Sequence, residues 1–135
     1  MFTAGVLSKE TEIPLHTVRH YTRIGLLKPA RHPANAYKIY QSSDVARLRF
    51  IVTAKSLGFT LHEIAQILDQ AAHGESPCPS VRKIIVQHIG ENKRKIRELQ
   101  KLQKKMEKAL GEWENLTDSM PNGTSVCGLI EAVAG

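Results

Sequence analysis

Val18-Arg19-His20-Tyr21-Thr22-Arg23-Ile24-Gly25-Leu26-Leu27 is the stretch on which the fold turns. Val18, Tyr21 and Ile24 repeat at the spacing of one helix face. Gly25 ends that helix as a left-handed cap, and Leu26-Leu27 return the chain to a core. Upstream, Pro14 suits the first position of the same helix, where its missing N–H would be unpaired anyway. A break at Thr11-Glu12 separates an earlier helix, capped by Thr3 and running to about Lys9, with Val6 and Leu7 facing inward. Two short helices joined by a tight turn make a helix-turn-helix.

Downstream the texture changes. Pro29, Pro33, Ala34 and Asn35 form turns, and Tyr37, Ile39 and Tyr40 favour a strand. This reads as a two-stranded wing with Arg31, His32, Asn35 and Lys38 outward. Ser42 or Ser43 is expected to cap a third helix, with Asp44 in its first turn and Val45, Leu48, Ile51 and Val52 on one face. Gly58 stops it. Thr60-Leu61-His62-Glu63 is a capping box opening a fourth helix that buries Leu61, Ile64, Ile67 and Leu68. Residues 73–80 are a loop by composition.

From Val81 to about Leu116 the chain holds no proline and is rich in Lys, Glu, Gln, Ile and Leu. Ile85, Asn92, Leu99, Met106 and Trp113 recur every seventh residue, as heptad a positions do. Leu102 and Ala109 fall at d, while Ile89, Ile96 and Leu110 fall one residue later, so the seam is that of an antiparallel or imperfect coiled coil. One long helix cannot bury its own stripe, and a homodimer is the expectation. Asn92 would fix the register at some cost in stability. After turn formers from Thr117 to Gly123, Cys127–Val133 reads as a short amphipathic helix.

The chain of 135 residues is 41% hydrophobic and 24% charged, an ordinary globular composition. Lys and Arg number 19 against 13 acids, a net charge of +6 with a pI near 9.5. That balance suits a polyanionic partner, most often nucleic acid. Residues 1–70 carry nine basic and five acidic side chains, and the rest ten and eight, so DNA contact is expected mainly in the first half. No run approaches a membrane span and no secretory signal is visible, so a cytoplasmic protein is expected. Two cysteines make no disulfide framework. There is no nucleophile–base pairing, no glycine-rich phosphate loop and no H-E-x-x-H helix, which argues against an enzyme. A structural coiled-coil adaptor with a basic face is the competing non-enzymatic reading.

The order of these elements resembles the MerR family of bacterial transcription regulators. Val18-Arg19-His20-Tyr21 with Gly25-Leu26-Leu27, then Arg31, Tyr37-Lys38-Ile39-Tyr40, Asp44 through Ile51, and Leu57 through Ile64 carry the resemblance. It is dense over residues 1–70 and in outline along the long helix. The nearest look is to the branch that senses divalent metals, on account of Cys78 before the long helix and Cys127-Gly128-Leu129-Ile130-Glu131-Ala132 near the C-terminus. The resemblance implies a mainly α fold. A winged helix-turn-helix DNA-binding domain (1–72) and a linker (73–80) lead to a dimerisation helix (81–116), which ends in a sensing loop and short helix (117–135). It implies a homodimer, with no membrane association, that distorts promoter DNA for RNA polymerase when an inducer binds.

The same resemblance places His16, Thr17, Arg19, His20 and Tyr21 of the recognition helix, and Arg31, Asn35, Tyr37, Lys38 and Tyr40 of the wing, at the DNA; Tyr21 and Tyr40 are equally suited to the core. Thr22 stands where the family often has an acid, and Lys38 where it commonly has Arg, which keeps the charge but loses the fork. The inducer it implies is a divalent ion (Zn, Cd, Pb or Hg) at Cys78 and Cys127. The branch's further cysteine near the end of the dimer helix is missing, because Gly111 through Asp118 contains neither Cys nor His. Two thiolates suit a linear soft-metal site, whereas a tetrahedral one would need Glu114 or Asp118 as well. Cys78 beside a helix N-terminus would also suit an oxidant or electrophile. An organic effector is the remaining alternative. His73 reads as a solvated loop residue, and Met106 and Trp113 as core.

Overall fold

Thr3 starts the first element of the computed structural model, which describes residues 1–133. Its Oγ1 accepts the Val6 amide at 3.3 Å, satisfying one of the orphan donors at a helix start. Helix α1 spans Ala4–Thr11, two residues past the expected end, and stops where Glu12 turns left-handed at φ 58°. Leu7 is fully buried while Val6 faces outward, so only one of the expected pair enters the core. Pro14 is the N-cap of α2, Leu15–Arg23, one position earlier than expected. Val18 and Tyr21 are buried, but Ile24 is 45% exposed, because the helix has already ended when the chain reaches it. Gly25 adopts φ 85°. The Gly25 and Leu26 amides then close the helix on the Thr22 and Tyr21 carbonyls at 3.1 and 2.9 Å.

The wing is shorter than its sequence suggests. Strand β1, Ala30–Arg31, pairs antiparallel with β2, Lys38–Ile39, placing Ala30 opposite Ile39 and Arg31 opposite Lys38. Tyr40 instead bridges to Phe2, exchanging two backbone bonds of 2.7 Å.

Helix α3, Ser42–Ser56, is capped by Gln41 and not by Ser42 or Ser43, which lie inside the first turn. The Gln41 amide donates to Asp44 Oδ2 at 2.8 Å. Gly58, at φ 94°, follows its end. Helix α4, Leu61–Ala72, opens with the expected capping box, the Glu63 amide on Thr60 Oγ1 at 3.1 Å and the Thr60 amide on Glu63 Oε1 at 2.9 Å. Leu7, Val18, Leu27, Tyr40, Leu48, Ile51 and Ile64 are the most deeply buried side chains, each aliphatic one contributing about 1.5–3 kcal/mol by leaving water.

Helix α5 runs Cys78–Trp113. It begins three residues before the expected start, so the loop is shorter and Cys78 is the helix's first residue. The chain divides into two compact units, Met1–Val86 and Gln87–Gly135. In the first unit, Val81, Ile84 and Ile85 pack on the core formed by the preceding elements. Ile85, expected at a dimer seam, thus spends part of its apolar surface within its own chain. In the second unit, Ala109 is the one buried residue of α5 among the described residues. Leu99, Leu102, Met106 and Leu110 are 64%, 46%, 59% and 62% exposed. A four-residue helix, α6, Gly128–Glu131, closes the chain with Cys127 as its N-cap; the expected helix extended to Val133. The last two residues of the tail read as 117–135 lie outside the described residues. No helix among the described residues is long and apolar enough to cross a membrane.

Candidate nucleic-acid interface and sensor loop

Arg19 and Arg23 lie four residues apart on α2, and so on one face. Arg31 and Lys38 come from the two strands of the wing, directly opposite one another. Lys28 sits on the segment between. These five cations line one open cleft of about 670 Å³, together with Thr22, Gly25, Leu27 and Tyr40, and no carboxylate is among its described lining. All five are exposed. Like charges facing across a strand pair destabilise it, a cost that an anion bound near Arg31 and Lys38 would relieve.

Hydrogen bonds hold the cleft in shape. The Tyr40 hydroxyl lies 2.7 Å from Thr22 Oγ1. Thr22 Oγ1 donates in turn to the Val18 carbonyl at 2.9 Å. With Thr22 donating, Tyr40 is the donor to Thr22, and the wing is tied to the recognition helix. Arg47 Nε donates to the Leu26 carbonyl at 2.7 Å, bracing the turn after α2. Arg31 Nη1 donates to the Ala36 carbonyl at 3.2 Å. That uses one of five guanidinium donors and leaves the others for a ligand.

The expected DNA-facing residues separate into groups. Arg19, Arg31 and Lys38 meet in the cleft. Tyr21 and Tyr40 are 8% and 1% exposed and belong to the core; Tyr40 touches the cleft wall without offering its ring to solvent. Burial thus favours the core placement that the sequence also allowed for both. His20 is half-buried, its ring 5.7 Å from that of Tyr21 and its Nδ1 3.0 Å from Arg23 Nη2. Asn35 is exposed, and its Oδ1 accepts the Tyr37 amide at 3.1 Å, so its carbonyl shapes the wing tip. His16, Thr17 and Tyr37 lie outside the cleft. Arg23, Lys28 and Thr22 were missed. The i,i+4 spacing of Arg19 and Arg23 was the available signal for the first. Thr22, three residues after Arg19, shares that helix face, whereas nothing local marks Lys28.

The second unit carries a separate construction around Cys127. The Gly128 amide donates to Ser119 Oγ at 2.9 Å. Asn122 Oδ1 accepts the Thr124 and Ser125 amides at 2.8 and 2.9 Å, folding the intervening loop. The Glu131 carboxylate accepts the Ser125 hydroxyl and, at 2.8 Å, the Val126 amide. The Ser125 bond first, then the Val126 amide, hold the Glu131 carboxyl below its ordinary range. Trp113 Nε1 donates to the Leu129 carbonyl at 2.7 Å. Trp113, expected at the dimer seam, thus commits its indole N–H to its own chain.

Cys78 is exposed and Cys127 half-buried, and both are free thiols. Among the described residues no three His, Cys, Asp or Glu side chains gather as a metal-binding group. Glu114 and Asp118 are exposed and do not complete one. One chain therefore does not fit a three- or four-donor ion. Two soft thiolates are the donor type that thiophilic ions of low coordination number take. In the second half of the chain, Arg94, Arg97, Lys101 and Lys104 share one stretch of the α5 surface with Glu98.

Comparison with known proteins bears on both regions. The model of the MerR helix-turn-helix regulatory protein family matches residues 2–71, and the MerR DNA-binding model matches residues 45–109. A probable heavy metal-dependent transcriptional regulator of Haemophilus influenzae is 37% identical over 90 residues, covering 67% of this chain and 70% of that one. The HTH-type transcriptional regulator HmrR of Rhizobium leguminosarum bv. viciae is 36% identical over 103 residues, covering 76% of this chain and 79% of that one. Among solved structures, the transcription regulator PbrR691 of Ralstonia metallidurans CH34, in complex with lead(II), superposes with a TM-score of 0.78. It is 28% identical and covers 99% of this chain and 100% of that chain. With its basic cleft between recognition helix and wing, the chain belongs to the MerR family of helix-turn-helix transcriptional regulators, which are DNA-binding proteins and not enzymes.

Proposed function

We propose that two copies of this chain bind one promoter and switch its shape for RNA polymerase in response to a thiophilic divalent ion. The observation that carries the DNA part is the five-cation cleft lined by α2, β1 and β2. Its guanidinium forks suit phosphate oxygens, and the Arg19 fork also suits a base edge. Its walls are fixed by bonds made before any ligand arrives, so little ordering is left for binding. His16, Thr17 and His20 on α2, and Asn35 and Tyr37 on the wing, lie beside this surface as secondary contacts.

The dimer follows from the α5 stripe. Leu99, Leu102, Met106 and Leu110 are too exposed for a lone chain, and Asn92 among them would set the register of an antiparallel coiled coil. The inducer is read as zinc, cadmium, lead or mercury, held by Cys78 of one copy and Cys127 of the other. The heavy-metal relatives and the lead complex support that choice. A bound ion would supply a strong link between two thiolates, and such a link shifts a two-shape equilibrium only by as much as it favours one shape. A second reading, an oxidant or electrophile acting at Cys78, is favoured by the exposure of that thiol.

The test has two arms. At fixed salt, an inverted-repeat promoter site should bind more tightly than random DNA; equal binding would reduce the protein to a non-specific basic adaptor. Zinc, cadmium, lead and mercury are then titrated against wild type, Cys78→Ser and Cys127→Ser. Weakened binding in both variants is expected, and equal affinity in all three proteins removes the metal reading. Modification of Cys78 by mild peroxide, seen by mass spectrometry without any metal effect, would move the assignment to the second reading.

A further inference from the structure

We propose that Trp113 is the positioning residue of the Cys127 loop, fixing that thiol relative to the C-terminal end of α5 through its indole N–H. The proposal deepens the reading of Cys127 as a sensor thiol and rests on it for its biological meaning. Its physical content, that Trp113 immobilises Cys127, stands without any metal.

Cys127 sits inside a closed set of bonds. On one side, the adjacent Val126 amide is held by the Glu131 carboxylate, which also takes the Ser125 hydroxyl. On the other side, the adjacent Gly128 amide is held by Ser119 Oγ at 2.9 Å. These bonds make the loop and α6 one small rigid piece, yet all of them lie within residues 119–131. A helix of four residues has no stability of its own. The bond that ties this piece to α5 is Trp113 Nε1 to the Leu129 carbonyl, at 2.7 Å and partly buried. Leu129 is two residues from Cys127.

Packing agrees with the bond. Trp113, Ala109, Met106 and Leu102 of α5 line a groove with Ile130 and Val133. Ala109 is buried to 9% exposure where its α5 neighbours on either side are open. The fit between loop and α6 is close. A Cβ on Gly128 would meet Ser119 Oγ at 3.0 Å and Ser119 Cβ at 3.3 Å, tighter than ordinary contact, so a side chain there would push Ser119 off the Gly128 amide. Any displacement of Cys127 therefore strains the Trp113 bond or moves the end of α5 with it. That is the mechanical link a sensor loop needs.

Trp113 is also the chain's single tryptophan, so its emission reports the latch directly. The experiment uses the full chain in a Cys78→Ser background, leaving Cys127 as the only thiol, without metal. Cys127 alkylation by iodoacetamide is timed for the parent and for Trp113→Phe, which keeps a ring in the groove but removes the donor. The rate should rise roughly threefold to tenfold, the span expected for losing one neutral hydrogen bond. The helical signal, dimer state and promoter affinity should stay unchanged. Gly128→Ala provides a second route that keeps the tryptophan. It should speed alkylation and shift Trp113 emission to the red as the indole opens to water. Unchanged alkylation in both variants, or an unchanged emission in Gly128→Ala, overturns the proposal. If alkylation responds as expected while Cys127→Ser leaves metal affinity intact, the latch stands and the sensor reading falls, so the two failures are distinguishable.

Discussion

Replacing Arg23 by Gln should change how binding depends on salt, and by a predictable amount. The cleft brings five cations together per chain. With all ten of a dimer at phosphates, and about 0.9 of a counterion released per contact, the slope of log affinity against log salt is roughly −9. Arg23→Gln removes one cation from each copy and makes the slope shallower by about 1.8. Between 50 and 200 mM salt the variant should therefore lose about twelvefold less affinity than the parent. Fluorescence anisotropy of a labelled promoter duplex, read across that salt range, measures it. Lys104→Gln is the control, because Lys104 is a cation of α5 that does not line the cleft; its slope should match the parent. An unchanged slope for Arg23→Gln, or an equal change for Lys104→Gln, would refute the assignment of the cleft to phosphate and return DNA binding to diffuse charge.

The remaining expectations concern stability and pH. Glu12 ends α1 in a left-handed conformation at φ 58°, so Glu12→Gly should stabilise the first unit by about 1 kcal/mol, visible as a higher melting midpoint. Thr60→Ala removes the acceptor of the α4 capping box and should cost about 1 kcal/mol in urea unfolding. Glu131 has a lowered folded pKa, so its contribution to loop order is fully present above the unfolded value near about 4.3 and is lost as pH falls through the lower folded value. Trp113 emission should accordingly shift on acidification below that point, and the same shift in Glu131→Gln would show that another group is responsible.

Much of the first unit was legible because its signals are local. Thr3, Gly25 and the Thr60–Glu63 box each act within four residues, and each appears where the sequence placed it. The misplacements have a common physical cause. Ser42 and Ser43 are good caps by type, but Asp44 reaches back to the Gln41 amide and sets the boundary one residue earlier. Ile85 follows the heptad pattern, but the core of the first unit captures it. Tyr40 alternates like a wing residue, but pairing with Phe2 turns it inward. In each case a particular contact overrides what residue type and spacing suggest, three residues away for Gln41 and Asp44 and far along the chain for Ile85 and Tyr40. The cleft was half legible for the same reason. Arg19, Thr22 and Arg23 on α2 follow helical spacing, whereas Lys28 lies beyond that helix and joins them only through the fold.

Local rules are broken most densely at the wing. Arg31 and Lys38 face each other with like charge. Ala36 holds φ 58° at the tip without being glycine, a conformation that costs an L-residue about 1–2 kcal/mol. The strands contain two residues each, too few to be stable alone. The hairpin is tied to the rest of the first unit through Tyr40, which bridges to Phe2 and bonds Thr22. A sequence selected for stability alone would separate the charges and place glycine at the tip. Conflicts of this kind persist where a ligand relieves them. Here relief requires a polyanion that spans the wing and α2 together. A duplex backbone meets that requirement and a single small anion does not, because the five cations are spread around a cleft of about 670 Å³. The wing should consequently be the part of the first unit that gains most protection from hydrogen exchange when promoter DNA binds. Equal protection of α4, whose capping box and buried Ile64 and Ile67 already satisfy it, would show that the strain at the wing has no connection with DNA.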